Sequence, residues 1–159
     1  MGVMQVERIY HITAEAFFLE LKKLAINDFE VNTGEIFPSD QSLKGLKYIK
    51  NFGKNNANQA RVEITKFEPF KIYESLIKSN RGSQVITYSI EEKDSNSIGV
   101  TYNEKLEDID FFTKINYKLL LPFMKKRLKK NIENRLDYIA DRAIESEDKV
   151  MGDKNEFSR

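Results

Sequence analysis

Near the end of the chain, Leu121, Met124, Leu128, Ile132, Leu136, Ile139 and Ala143 recur at spacings of three or four residues, which places them on one stripe of a 3.6-residue period. Lys125, Lys126, Lys129, Lys130, Glu133, Asp137 and Asp141 fall elsewhere. The pattern predicts an amphipathic helix. From Pro122 to Ser146 it would run about 37 Å, enough to cross a sheet of about seven strands. If the helix began at Pro122, the basic block Lys125 to Lys130 would sit at the positive end of its dipole, an unfavourable place for cations. Asp108 and Asp110 offer an N-cap and first-turn acids, so the start is placed near residue 109 and Pro122 is read as an interior kink. The alternative is two helices meeting at Pro122.

Upstream the period changes to two. In Ile98 to Leu106 the residues Ile98, Val100, Tyr102 and Leu106 share one face, opposite Thr101, Asn103 and Lys105. Gln84 to Glu92 alternates through Ile86, Tyr88 and Ile90. Arg61 to Phe67 and Phe70 to Ser79 are rich in β-branched and aromatic residues. Lys44 to Phe52 is a weaker strand. Asn55-Asn56, Glu68-Pro69, Asn80 to Ser83 and Asp94 to Ser97 supply the turns. Before them lies a strand from Gln5 to Ile12, with Thr13 as N-cap of a helix from Ala14 to about Ile26, whose apolar face carries Phe17, Leu21 and Leu24. A short, helical continuation reaches Gly34, a plausible C′ residue. The order is strand, one or two helices, about five strands, then the long helix.

Composition sets the bounds. A chain of 159 residues suits one domain, here residues 1–147, able to bury about two thirds of its unfolded surface without a disulfide or structural metal. It contains no cysteine, which removes thiol chemistry and fits a cytoplasmic setting. No apolar run approaches the roughly 20 residues of a membrane span, and the opening residues do not form a signal peptide. A net charge of +1 gives no global attraction to nucleic acid. Residues 148–159, polar apart from Val150, Met151 and Phe157, read as a disordered tail.

The element order, the segment Val62-Glu-Ile-Thr-Lys-Phe-Glu-Pro-Phe-Lys-Ile-Tyr73 with its Glu-Pro turn, and the paired strands Ile86 to Glu92 and Ile98 to Leu106 resemble the helix-grip fold of the START-like superfamily. That group includes polyketide cyclases, lipid-transfer domains and the birch-pollen-allergen family. Gly45-Leu-Lys-Tyr-Ile-Lys50 and Asn116-Tyr-Lys-Leu-Leu-Leu121 resemble a small bacterial branch of unknown function. The resemblance covers residues 3–145. It implies an α+β fold, a curved antiparallel sheet wrapped around a long C-terminal helix, with a cavity between them for a hydrophobic small molecule. It transfers no activity.

No sequence motif carries chemistry outright. His11 is the single histidine and has no acid-base partner at a fixed spacing. HExxH, a Gly-rich phosphate loop, a nucleophile elbow and a metal-ligand cluster are all missing from the sequence, so no catalytic or metal-binding residue and no cofactor is assigned. The basic run Lys125 to Lys130 is read as a solvated helix face. More informative are charges in apolar register: Glu104 with Tyr102 and Leu106; Glu74 with Phe70, Ile72 and Leu76; Lys50 with Tyr48 and Phe52; Arg8 with Val6, Tyr10 and Ile12. On concave faces they would point inward, where a charge needs a partner or marks a function. On strand ends or at a bulge they would reach water.

The expectation is a non-enzymatic protein holding a hydrophobic or amphipathic small molecule. Tyr48, Glu74, Tyr88, Tyr102 and Glu104 would line the pocket from the sheet, and Leu128 and Ile132 from the helix. A cyclase- or dehydratase-like enzyme using a cavity carboxylate or tyrosine is one alternative. A chaperone-partner-like interaction module is another.

Overall fold

The computed structural model describes the backbone of residues 3–56, 58–80, 82–107 and 111–157, and side-chain surroundings from 4 to 149 outside 56, 57, 81 and 108–123. Strand β1 (Val3–Tyr10) leads into helix α1 (Ala14–Thr33). Five strands follow: β2 (Lys47–Phe52), β3 (Asn58–Glu68), β4 (Ile72–Ser79), β5 (Gly82–Asp94) and β6 (Ser97–Glu107). Helix α2 (Phe111–Phe157) ends the described chain. The strands form one six-stranded antiparallel sheet in the order β1-β6-β5-β4-β3-β2. This is the α+β helix-grip architecture, with β1 and β2 as the two edges.

Helix α1 is a single 20-residue element rather than a helix to Ile26 with a short continuation. Its apolar face carries on through Phe18, Leu21, Ala25 and Phe29, so nothing interrupts burial at Ile26. Thr13 caps the start by accepting from the Ala16 N–H at 3.1 Å. At the other end Gly34 takes a left-handed conformation (φ 73°) and returns its N–H to the Glu30 carbonyl at 2.9 Å.

Two strands begin later than the sequence suggests, and backbone conformation explains both. Gly45 has φ 83°, so regular pairing of β2 starts at Lys47, although the Gly45 N–H still reaches the Ile64 carbonyl at 2.8 Å. Phe70 has φ 67°, inside the turn before β4.

Cross-strand register builds the concave face in rows. Val6, Tyr102, Tyr88, Tyr73 and Phe67 stand opposite one another across β1, β6, β5, β4 and β3. Their rings meet at centroid distances of 5.2 Å (Tyr88 and Tyr102), 5.9 Å (Tyr73 and Tyr88) and 6.3 Å (Tyr73 and Phe67), spacings that favour edge-to-face packing. The next row holds Met4, Glu104, Ile86, Ser75 and Ile64.

Against these rows α2 lays Ile132, Leu136, Ile139, Ala140 and Ala143, all buried, with Leu128 partly buried beside them. Met124 does not join the stripe. It is 44% exposed, one turn before Leu128, which packs partly buried against the core. The side chain of Leu121, and the capping roles of Asp108 and Asp110, lie outside the described residues. The helical backbone runs unbroken through position 122, as one helix rather than two. It also continues to Phe157, into the segment read from composition as a disordered tail. Extending an existing helix needs no new nucleus, and Lys149, Met151, Lys154 and Glu156 are good helix formers.

The core has two parts. The larger joins α2 and the first half of α1 to β1, β5 and β6. The smaller joins Ala25 and Phe29 of α1 to Phe37, Leu43, Tyr48, Val62 and Ile64. Phe67 and Tyr73 touch both parts and bridge them.

Candidate functional site

Between the two parts of the core the described residues leave a gap. An open cavity of about 340 Å³ lies there, walled by α1 (Leu21, Ala25, Asp28), the sheet (Tyr48, Lys50, Val62, Tyr73, Ser75, Ile77, Ile86, Tyr88) and α2 (Arg135, Ile139). The volume falls at the small end of the range for small-molecule sites. Mixed lining of this kind gives an apolar body a wall on each side and polar groups to orient it.

The most ordered polar feature of the wall is a cluster on Asp28. Its carboxylate accepts from the Tyr48 hydroxyl on one oxygen and from Lys50 Nζ at 2.8 Å on the other. Tyr48 and Lys50 are two apart on β2, so strand periodicity turns both to the same helix. Asn32, one helical turn after Asp28, donates from Nδ2 to the Asp28 carbonyl at 2.7 Å and accepts from the Asn51 N–H at 3.0 Å, fastening α1 to β2. Burial and the bond to Asp28 push the Tyr48 phenol up, well above the usual tyrosine range. Burial likewise pushes the Tyr73 and Tyr88 phenols up. All three therefore remain protonated donors at neutral pH.

A second polar group lies on β6. Glu104 accepts from Tyr102 OH at 3.0 Å and from Gln84 Nε2, and the Arg135 guanidinium stands within electrostatic reach of Tyr88, Tyr102 and Glu104. A third lies at the sheet's other edge. Arg8 on β1 grips Asp137 of α2 with two nitrogens, Nε at 3.3 Å and Nη2 at 3.1 Å, and Tyr10 OH donates to the same carboxylate at 2.6 Å.

Of the residues expected to line a pocket, Tyr48 and Tyr88 do line the cavity. Glu104 faces the concave side but is engaged by Gln84 and Tyr102, while Tyr102, 1% exposed, sits in the closed core. Ile132 and Leu128 pack against the same core rather than the cavity. Glu74 requires a correction, because it lies on the outer face of the sheet. There it accepts from Thr65 Oγ1 at 2.9 Å and Thr87 Oγ1 at 2.8 Å, with Lys66 Nζ at 3.5 Å. The inward residues of β4 are Tyr73, Ser75 and Ile77. Both faces of β4 carry apolar residues, Ile72 and Leu76 on one and Tyr73 and Ile77 on the other, so alternation alone cannot assign the face. Arg8 and Lys50 do face inward, but pair with Asp137 and Asp28 rather than with Glu74 or Glu104. His11 is exposed beyond the end of β1.

Sequence reasoning missed Asp28 and Arg135. Both were visible as helical counterparts of the strand test: Asp28 lies seven residues after Leu21, and Arg135 lies seven after Leu128 and four before Ile139, each in phase with an apolar stripe.

Among solved structures, the fold is shared with norcoclaurine synthase from Thalictrum flavum. A point mutant bound to a transition-state analogue matches with a TM-score of 0.61 at 9% identity, covering 92% of this chain and 96% of that one. The complex of that enzyme with dopamine and hydroxybenzaldehyde matches with a TM-score of 0.58 at 10% identity, over 91% of this chain and 87% of that one. A protein from Thermus thermophilus has a TM-score of 0.55 at 12% identity, over 91% of this chain and 99% of that one. At these identities the likeness is one of fold. No curated protein matches the chain. Residues 4–125 match the family described as a domain of unknown function, DUF3284, and the chain belongs to that family.

Proposed function

We propose that this protein is a START-like small-molecule-binding protein, and that it holds a hydrophobic or amphipathic ligand in the cavity between the sheet, α1 and α2. The observation that carries this reading is the opening of about 340 Å³ between two well-packed clusters, lined by aliphatic walls and a few fixed polar groups. Interiors are close-packed, so an opening of this size beside two packed clusters is where a ligand would complete the core. The fold shared with an enzyme solved in complex with dopamine and hydroxybenzaldehyde supports a small aromatic or aliphatic molecule as occupant. Bacterial origin, a cytoplasmic setting and the absence of a nucleic-acid partner belong to the same proposal. No helix among the described residues is long and apolar enough to cross a membrane.

Two measurements test the reading. Native mass spectrometry of freshly purified protein should reveal a small molecule that survives gentle ionisation. The neutral fluorophore N-phenyl-1-naphthylamine should bind with a single-site isotherm, with binding lost on enlarging Ser75, whose side chain is buried on the cavity wall. Absence of both signals in folded protein would refute it.

One observation favours an enzymatic variant of the same reading. The Tyr48 hydroxyl and the Lys50 ammonium meet on one carboxylate at the cavity wall. The Lys50 ammonium gives one of its three N–H donors to Asp28 and can turn another to oxygen charge developing on a carbonyl substrate, as an oxyanion stabiliser rather than a base. Lys50→Met would then lower turnover while leaving ligand affinity nearly unchanged.

A further inference from the structure

We propose that the ligand is a monoanionic acid with an apolar body, and that Arg135 at the cavity wall holds its charged group. This rests on the reading of the cavity as a ligand site and adds the ligand's charge. Three charged side chains line the cavity: Asp28, Lys50 and Arg135. Asp28 and Lys50 neutralise each other at 2.8 Å. Arg135 is left over. Among the described residues no carboxylate comes within 4.0 Å of its guanidinium. Glu104, whose field it feels, is occupied by Gln84 and by Tyr102 at 3.0 Å.

The cavity lining thus carries one positive charge beyond its internal pair. Arg135 is exposed where it lines the cavity, so it can meet an incoming anion without rearrangement of the core, and guanidinium presents a planar fork that matches a carboxylate on two oxygens. The placement supports an end-on arrangement. Arg135 stands one turn before Ile139 on α2, and Ile139 is 1% exposed at the floor of the cavity. The protonated Tyr88 phenol lies beside Arg135 and offers a second donor to the same anion. Val62, Ile77 and Ile86 then face the apolar body.

The test uses N-phenyl-1-naphthylamine as the reporter and two matched pairs as competitors: decanoate with decanol, and 2-naphthoate with 2-naphthalenemethanol. The pairs separate an aliphatic from an aromatic acid. At least one acid should displace the reporter with an affinity at least tenfold above that of its alcohol. In Arg135→Gln that advantage should shrink to within about twofold, with the alcohol unchanged, and Arg135→Lys should retain part of it. Circular dichroism melting of each variant shows that the fold is intact. If the reporter does not bind and no small molecule co-purifies, the cavity reading falls, and the anionic ligand with it. If the reporter binds but acids compete no better than alcohols, or do not compete at all, the cavity reading stands and the anionic ligand is overturned. If the acid's advantage survives Arg135→Gln and disappears in Lys50→Gln, Arg135 is the wrong residue.

Discussion

The two edge strands carry the same device with different surroundings. On β1, Arg8 and Tyr10, two residues apart, converge on Asp137 of α2; on β2, Tyr48 and Lys50, two residues apart, converge on Asp28 of α1. Each edge of the sheet is thus tied to a different helix through one carboxylate that receives a phenol and a cation. Behind the β1 latch the space is filled: Tyr10 stacks on Phe17 at 5.9 Å, and Val6, Val100 and Leu136 are essentially inaccessible. Behind the β2 latch it is open, and Tyr48 and Lys50 themselves line the cavity. The same polar tie therefore closes a core at one edge and frames a binding space at the other. Among the described residues, α2 packs on α1 and β1 and reaches the cavity only through Arg135 and Ile139, whereas α1 packs on β2.

The largest test of the contrast removes apolar volume on each side. Leu136→Ala, at a position with no solvent exposure, should cost about 2–5 kcal/mol in urea unfolding through lost burial and a residual void. Ile77→Ala, on the cavity wall, creates no new enclosed void and should cost about 1 kcal/mol while changing reporter binding. Lys129→Ala, on the exposed face, should cost little. Equal losses at Leu136 and Ile77 would mean that the cavity side is packed as tightly as the core.

The latches come next. Asp137→Asn weakens a two-nitrogen contact and a phenol bond beside a filled core, and should cost about 1–2 kcal/mol, limited by partial exposure of both partners. Asp28→Asn should cost less in unfolding but should alter ligand affinity, because Tyr48 and Lys50 lose the group that orients them in the cavity. A binding change from Asp137→Asn with none from Asp28→Asn would reverse the assignment of the two edges.

Much of this was legible in the chain. The alternation Val6, Arg8, Tyr10 and Ile12, and that of Ile98, Val100 and Tyr102, place those strands on the correct face, because each has one clearly apolar side and each packs on a closed core. Thr13 and Gly34 mark the limits of α1 through chemistry local to the backbone. Legibility fails on β4, where both faces are apolar and a bulge in β3 between Ile64 and Lys66 shifts the neighbouring register. It fails again for the acids that answer Arg8 and Lys50. Those partners lie 129 and 22 residues away on helices, and sequence spacing says nothing about such pairings. The charge-in-phase test found the strand half of each latch. Applied to the helices at seven-residue spacing, it would have found Asp28 and Arg135.

Glu74, on the face away from both latches, supplies a control through pH. Desolvation works to raise its pKa, but hydrogen bonds from Thr87 and Thr65 and the nearby Lys66 outweigh it and hold the carboxyl below its ordinary value of 4.5. A depressed folded-state pKa means that the unfolded chain binds the proton more tightly. The stabilisation is therefore fully present above the unfolded value and is lost as pH falls from about 4.5 through the folded one. Glu74→Gln should flatten that part of the acid limb of an unfolding titration and leave reporter binding at pH 7 unchanged. A change in binding would return Glu74 to the cavity.

The smallest effect is expected beyond the last tie on α2. Glu147 accepts from Thr13 Oγ1 at 2.7 Å, and Ser146 donates to the buried Glu20 at 2.8 Å, so the helix is fastened to the start of α1 at these positions. Residues 148–159 are mostly polar and have little apolar surface to exchange for the entropy of ordering. Truncation after Asp148, which keeps both ties, should shift the thermal midpoint by no more than about 2 °C, within the range of a surface change of about 0.5 kcal/mol. Truncation after Glu145, which removes Ser146 and Glu147, should lower it by several times as much, because Glu20 loses a hydrogen-bond donor while remaining buried. A large fall on truncation after Asp148 would mean that Met151 or Phe157 contributes to the folded domain, and that α2 is held beyond its ties to Thr13 and Glu20.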